Sequence, residues 1–232
     1  MNIKLIGLIA VMSLSFAEMQ AQINAGTDVL STTQNRQEES GQLQLKYEVG
    51  DIYDYKGVRG YVIEVDVTGQ HGLLLSLDRF EGKWANKKKL KIEGEFSETD
   101  GSQNMKIIEK FIAEHKEYEG TLPFYDWCRK KGDGWYMPSV KELEKVVTLF
   151  NGSMGKFKKS NYEKYDKIFV DNGGDGLLRN KFPLIMFSSN LASNGKVMCA
   201  CGLYTPTRMV IEKVNMNPKS QKVMGSRAMY RF

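Results

Sequence analysis

Imidazole and thiol are scarce in this chain: histidine stands only at positions 71 and 115, and cysteine only at 128, 199 and 201. So few imidazoles leave almost no candidate for the general base that nucleophilic catalysis requires. No G-x-S-x-G elbow is present to carry an activated serine. Exported domains stapled by disulfides carry a larger, even cysteine count. One bridge from Cys128 to Cys199 or Cys201 stays open here, as does the reading of three partly buried thiols acting as small hydrophobes. A Cys199–Cys201 bridge would be strained, since the two lie two apart on one strand, and C-x-C is not a common zinc arrangement. Long apolar runs are missing beyond the start. Residues 5–17 form an apolar run of thirteen, too short to span a bilayer and right for a signal-peptide core.

Lys4 precedes that run, and Ala21, or next Ala17, is the expected last residue of a leader over 1–21. No cysteine lies beside either position to take a lipid. The mature chain is therefore expected to be exported and soluble, in the periplasm, on the cell surface or secreted, with no membrane insertion. Its formal charge is +5, and the leader's Lys4 and Glu18 cancel. The basic clusters at 87–89, 129–131 and 156–159 read as solvated surface lysines and arginines in an exported protein, so no nucleic-acid partner is expected.

What is present is a set of local signals. In GWYMPSVKELEKV (134–146), Ser139 and Glu142 have capping-box spacing, and Val140, Leu143, Val146, Val147 and Phe150 recur at helical spacing. Asn151-Gly152 follows and can supply the left-handed residue that ends the helix, while Pro138 keeps Met137 extended. Residues 22–46 are polar and aperiodic, which reads as a tail or linker before a domain over 47–232. Tyr61, Ile63 and Val65 alternate against Glu64 and Asp66, and a turn leads into 73–77: a β-hairpin with one polar face. The spacing of Met105, Ile108, Phe111, Ile112 and His115 predicts a helix over 104–118 with His115 on its core face. A shorter helix at 122–129 has Pro123 in its first turn. Residues 151–183 read as irregular, and 197–203, 209–214 and 223–232 as strands. In the last, Ala228, Tyr230 and Phe232 share one face, and Arg227, Met229 and Arg231 the other.

The order of YVIEVDVTGQHGLLLSLD (61–78), Trp84-Ala85, DGSQNMKII (100–108), LPFYDWCRKKGDGWYMPSVKEL (122–143), FSSN (187–190) and the terminal SRAMYRF resembles one bacterial family. It is the Lcl C-terminal-like domain of unknown function, which has a C-type-lectin-like fold. Phe187 stands where that family carries Trp, Asn190 where it carries Thr or Ser, and Met105 where it carries Thr. The resemblance implies an α+β, C-type-lectin-like domain with two or three helices packed on short antiparallel sheets. It implies a lectin-like scaffold and not sugar binding as such, since many such domains bind proteins.

No cofactor is implied. The segment to test for calcium is DNGGDG at 171–176, which resembles the start of an EF-hand loop, but Gly173 and Phe182 occupy positions that need oxygen ligands. Trp127, Trp135 and Tyr136 could form a sugar platform, and their place beside an amphipathic helix favours core. The expected function is a binding module for an extracellular glycan or protein, engaged through loops between 190 and 217. Asn190, Tyr204 and Arg208 are the expected contacts, because loop aromatics and Arg are the usual anchors. The alternative is a non-catalytic structural or assembly component of the cell surface, docked through the tail.

Overall fold

Six short strands, four helices and a run of strands that returns to the first sheet follow one another in a computed structural model describing residues 35–39, 42–87, 90–179, 182–183, 186–191, 196–202, 208–215 and 224–232. The first strands are β1 (Asn35–Glu39), β2 (Gln42–Lys46), β3 (Ile52–Tyr55), β4 (Val58–Val65), β5 (Gly72–Ser76) and β6 (Phe80–Gly82). Helices α1 (Gly101–Glu114), α2 (Pro123–Lys130) and α3 (Val140–Asn151) come next, then β7 (Gly155–Lys156) and α4 (Lys159–Asp171). The chain continues as β8 (Leu178–Arg179), β9 (Phe182–Pro183), β10 (Met186–Leu191), β11 (Lys196–Gly202), β12 (Arg208–Asn215), β13 (Met224–Ser226) and β14 (Met229–Arg231). The fold is mixed α+β with small antiparallel sheets. The leader expected at 1–21 lies outside the described residues. Among those described, no helix is long and apolar enough to cross a membrane.

The first sheet has the order β14-β5-β4-β3, so the C-terminal strand lies beside one of the earliest. Its register pairs Tyr61 with Leu75 and Leu75 with Met229, and these face the main core under the helices. Val62, Leu74 and Tyr230 fall on the opposite face. There Val62 and Leu74 are buried with Tyr47 and Tyr53, and Phe232 packs on them. The hairpin therefore has no wholly polar face. Period-two alternation breaks at a bulge between Val62 and Glu64, and both sides of the sheet are covered.

The second sheet, β10-β11-β12-β7, packs against α3, and α1 packs against β10. Residues 224–232 form two strands in two sheets, β13 on β6 and β14 on β5. The break falls at Arg227, which turns inward and is 3% exposed. Its guanidinium donates to the carbonyls of Ser76, Leu77, Asp78, Asp175 and Gly176, and stacks 4.5 Å from the Phe169 ring centroid. Burial pulls its pKa down to about 9 and the Asp175 carboxylate opposes that, so it is charged at neutral pH.

Three sequence expectations are corrected. Four α-helices stand among the described residues, where two or three were expected. The extra one, α4, occupies part of 151–183 and buries Tyr162 and Phe169, seven residues apart on one face. Aromatics carry that face, in a segment otherwise rich in Lys and Asn. Residues 35–46, read as tail, pair as a hairpin with Glu39 opposite Gln42, and Leu45 packs on the Tyr47–Tyr53 cluster. Finally, α1 starts at Gly101, three residues early, because Asp100 caps it by accepting from the Ser102 N–H at 2.9 Å. It also ends early, and His115 is a 49%-exposed cap residue, not core.

Gly101 tests this packing. Alanine is favoured over glycine in a helix by up to about 1 kcal/mol, but a Cβ here would stand 2.1 Å from the Met137 carbonyl oxygen and 2.7 Å from the Ser139 nitrogen. Backbone cannot swing aside, and overpacking costs about 1–3 kcal/mol. Gly101→Ala is expected to lower the urea unfolding midpoint, contrary to its helix propensity.

Candidate functional site

The motifs that stand far apart in the chain meet at one buried carboxylate. Glu142, 1% exposed, sits in the first turn of α3. Its Oε2 accepts from the Ser139 N–H at 2.7 Å, closing the capping box, and from the Gly101 N–H at 3.0 Å at the start of α1. Its Oε1 accepts from the Tyr136 hydroxyl at 2.9 Å and the Arg231 guanidinium at 3.1 Å. Burial, then the Glu142 charge, raises the Tyr136 phenol far above its ordinary value, so it stays a donor. Arg231 also lies 3.5 Å from Asp100. Burial alone would raise the Asp100 carboxyl, but bonds from Ser102 and the Arg231 charge outweigh it and hold it below the usual carboxylate range.

Beside this knot the Asn104 amide donates to the Ser97 carbonyl and the Ser189 hydroxyl, and its oxygen accepts from the Ser97 N–H. Ser189 reaches the Pro138 carbonyl through its own N–H, and the Trp84 indole donates to the Ser188 carbonyl. Trp135 and Tyr136 are buried here, as the core reading expects, and Trp127 is half-buried with the Lys131 ammonium 4.9 Å from its ring. These words of the sequence are scaffold.

Of the three expected contacts, Asn190 is 3% exposed and belongs to the same network. Its oxygen accepts from the Val140 N–H at 2.8 Å and its amide donates to the Ser97 carbonyl at 2.8 Å. Both ends of the side chain are used inside the fold, so it is a brace between β10, α3 and the segment before α1. Tyr204 lies outside the described residues. Arg208 opens β12, paired with Lys156 of β7. The structure does not bring the three together as one described site, because most of the loops between 190 and 217 lie outside the described residues.

The loop at 171–176 is organised by arginines. Asp175 accepts from the Arg79 N–H through Oδ2, and its carbonyl and that of Gly176 take Arg227. Asp171 pairs with Lys167 at 2.5 Å. The loop's oxygens thus serve donors the chain itself supplies. Among the described residues no cluster of three or more His, Cys, Asp or Glu is placed to hold a metal ion. Cys128 is fully buried, and burial pushes its thiol well above the ordinary value, the wrong direction for a nucleophile. The side chains of Cys199 and Cys201 lie outside what is described.

The sequence reading missed one concavity among the described residues. A groove of about 770 Å³ runs between the segment 91–95 and the outer side of α1 with the 3₁₀ turn after it. Its floor holds Ile107, Phe111 and Tyr118, with the Phe111 and Tyr118 ring centroids 5.0 Å apart and the His115 ring 4.7 Å from Phe111. Glu93, Glu95, Glu114 and Glu117 stand at the rim with Lys91 and Lys110. Lys91 pairs with Glu93 at 2.7 Å and Lys110 with Glu114 at 3.9 Å, which leaves a surplus of carboxylate. The Lys87 ammonium already rests 4.2 Å from the Tyr118 ring centroid and donates to the Glu117 carbonyl. Stacking on the floor and hydrogen bonding at the rim are what this arrangement offers a ligand. The signal for it was Phe111 and Tyr118 seven apart, which helical spacing alone assigns to core.

No protein-family model, curated protein or solved structure matches the chain.

Glu142→Gln cannot accept from all four donors and should cost on the order of 3 kcal/mol, the range for breaking a buried charge pair. Asp100→Asn still caps α1 and should cost less than about 1 kcal/mol. The Asp100 carboxyl is depressed in the folded protein, so its contribution is complete above about pH 4, the ordinary carboxylate value, and is lost as pH falls through the lowered one. Urea midpoints of wild type and Asp100→Asn should differ at pH 7 and draw together as the pH falls below about 4.

Proposed function

We propose that the mature chain is an exported, non-catalytic binding module on a C-type-lectin-like scaffold, and that the groove beside α1 takes its glycan or protein ligand. The lectin-like reading draws support from the chain's return on itself. The C-terminal β14 lies against β5, and the Phe232 ring meets that of Tyr47 at the domain's start with centroids 5.5 Å apart. A second antiparallel sheet holds the later strands, across α1 and α3. The order of the resembling motifs gains weight because all but the hairpin at 61–78 meet in one hydrogen-bonded network around Glu142 and Asn104.

The observation that carries the binding reading is the groove's aromatic floor under a charged rim. Its size lies within the roughly 300–1,000 Å³ typical of ligand sites. Partly buried rings give contact area at low entropic cost, and rim carboxylates accept from hydroxyl or ammonium groups. The acidic surplus favours ligands carrying an amine or many hydroxyls. The assembly reading draws on Val49 and Val67, which are exposed in turns at one end of the first sheet.

Glycan and peptide arrays probed with the purified mature protein, with and without calcium, test the proposal. Phe111→Ala and Tyr118→Ala should each weaken the captured ligand by tenfold or more, with the helical circular dichroism retained. Capture insensitive to both substitutions would remove the groove as the site. Self-association abolished by Val67→Asp, with no capture on either array, would favour the assembly reading.

A further inference from the structure

One wall of the groove is a strand-like segment that pairs with nothing. Along Leu90, Lys91, Ile92 and Glu93 the side chains alternate: Leu90 and Ile92 are buried in the main core, and Lys91 and Glu93 are exposed. That period of two is the pattern of a strand. The chain bends at Gly94, where φ is +148°, and Phe96 then packs on the core again. Both ends are fixed. Before the segment the Asn86 N–H donates to the Thr121 carbonyl at 2.8 Å. After it the Ser97 N–H donates to Asn104, and the Ser97 carbonyl accepts from Asn104 and Asn190. Between these anchors the backbone N–H and C=O groups of residues 90–96 find no hydrogen-bond partner among the described residues. The segment belongs to no sheet.

A fixed row of unpaired backbone groups is a template for another strand. A glycan has no alternating N–H and C=O groups to match it, and a helix has already spent its own. An extended polypeptide has both. No proline interrupts 90–96, so every residue of the row keeps its N–H. Charge narrows the choice of strand. The groove carries Glu93, Glu95, Glu114 and Glu117 against Lys91 and Lys110, in a chain whose formal charge is +5. Glu95 has no ion-pair partner among the described residues. An acidic strand would meet like charge, and a basic one meets its complement. The Lys87 ammonium over the Tyr118 ring shows within the chain itself how a lysine is received here, with the Glu117 carbonyl accepting from it.

We propose that the groove beside α1 takes an extended, basic peptide segment of a partner protein, which pairs main chain to main chain with residues 90–96. Its basic side chains alternate with apolar ones: the former meet the rim carboxylates, and the latter rest on Ile107 and Phe111. The proposal rests on the groove reading and narrows its ligand from glycan or protein to a basic strand. Main-chain bonds supply affinity, and the alternation supplies specificity. Leu90, Ile92 and the bonds at Asn86 and Ser97 hold the row in place before the partner arrives, so little order has to be gained on binding.

Fluorescence polarisation of the purified mature protein with end-blocked, dye-labelled octapeptides, lysine alternating with valine, leucine or phenylalanine, tests the assignment. At least one should bind with a micromolar dissociation constant, and its counterpart with glutamate for lysine at least tenfold more weakly. Successive N–H groups of a strand point to opposite edges, so N-methylation of alternate amides blocks one edge at a time. Of the two alternately methylated peptides, one should lose tenfold or more and the other should keep its binding. In hydrogen-exchange mass spectrometry the amides of 91–96 should exchange fast in the free protein and slow down in the complex. Glu93→Lys combined with Glu95→Lys, both exposed, should weaken the peptide tenfold or more at an unchanged melting temperature. A silent panel, slow exchange of these amides in the free protein, or binding that leaves them unprotected would overturn the proposal. Glycan capture lost in Phe111→Ala, with no peptide bound, would overturn it and leave the groove reading standing. Protection that appears on self-association without peptide would overturn it in favour of a second copy of the chain.

Discussion

A carboxylate withdrawn from water must be surrounded by donors, and Glu142 is where this fold meets that demand. It can only accept, and its four donors come from the start of α1, the approach to α3, and the C-terminal strand. Each donor must be placed within hydrogen-bond reach or the buried charge is left uncompensated. The relative positions of two helix starts and one strand follow from that single requirement. Asn104, Ser189 and Asn190 extend the same logic to β10, as each spends its polar atoms on groups from other segments.

Arg227 is the complement of Glu142 at the other side of the core. It can only donate, and five carbonyls from two loops close around it while its plane lies on Phe169. The loop at 171–176, whose oxygens suggest a cation site in one dimension, takes its shape from this buried cation and from Arg79. With an acceptor at one centre and a donor at the other, the interior leaves little polar capacity for a ligand. The groove beside α1 lies outside both centres.

How far the sequence reaches depends on the span of each signal. The capping box, the left-handed Gly152, Pro123 at the start of α2 and the hairpin at 61–77 involve partners a few residues apart, and all are legible. Helix α4 was missed because its buried face is made by Tyr162 and Phe169 in a background of Lys and Asn that reads as loop. His115 fitted helical spacing but stands where α1 has ended, as its C-terminal cap outside helical φ and ψ. Asn190 was read as an exposed loop contact, and nothing local says that its amide will find Ser97 and Val140. The groove escaped notice because helical spacing cannot tell a ring that faces the core from one that faces an overhanging segment.

The sequence by itself determined where α2, α3 and the β4–β5 hairpin lie, because caps, turns and alternation act within one or two turns of chain. It also determined that the class is mixed α and β. Tertiary structure alone decided that both faces of the first sheet are covered, that the conspicuous motifs share one carboxylate, and that their polar residues are spent on the scaffold. The reason is range: the bonds that fix those facts join residues 41, 50, 89 and 93 positions apart. Over such distances a chain's pattern states which groups are available, and only packing states which of them meet.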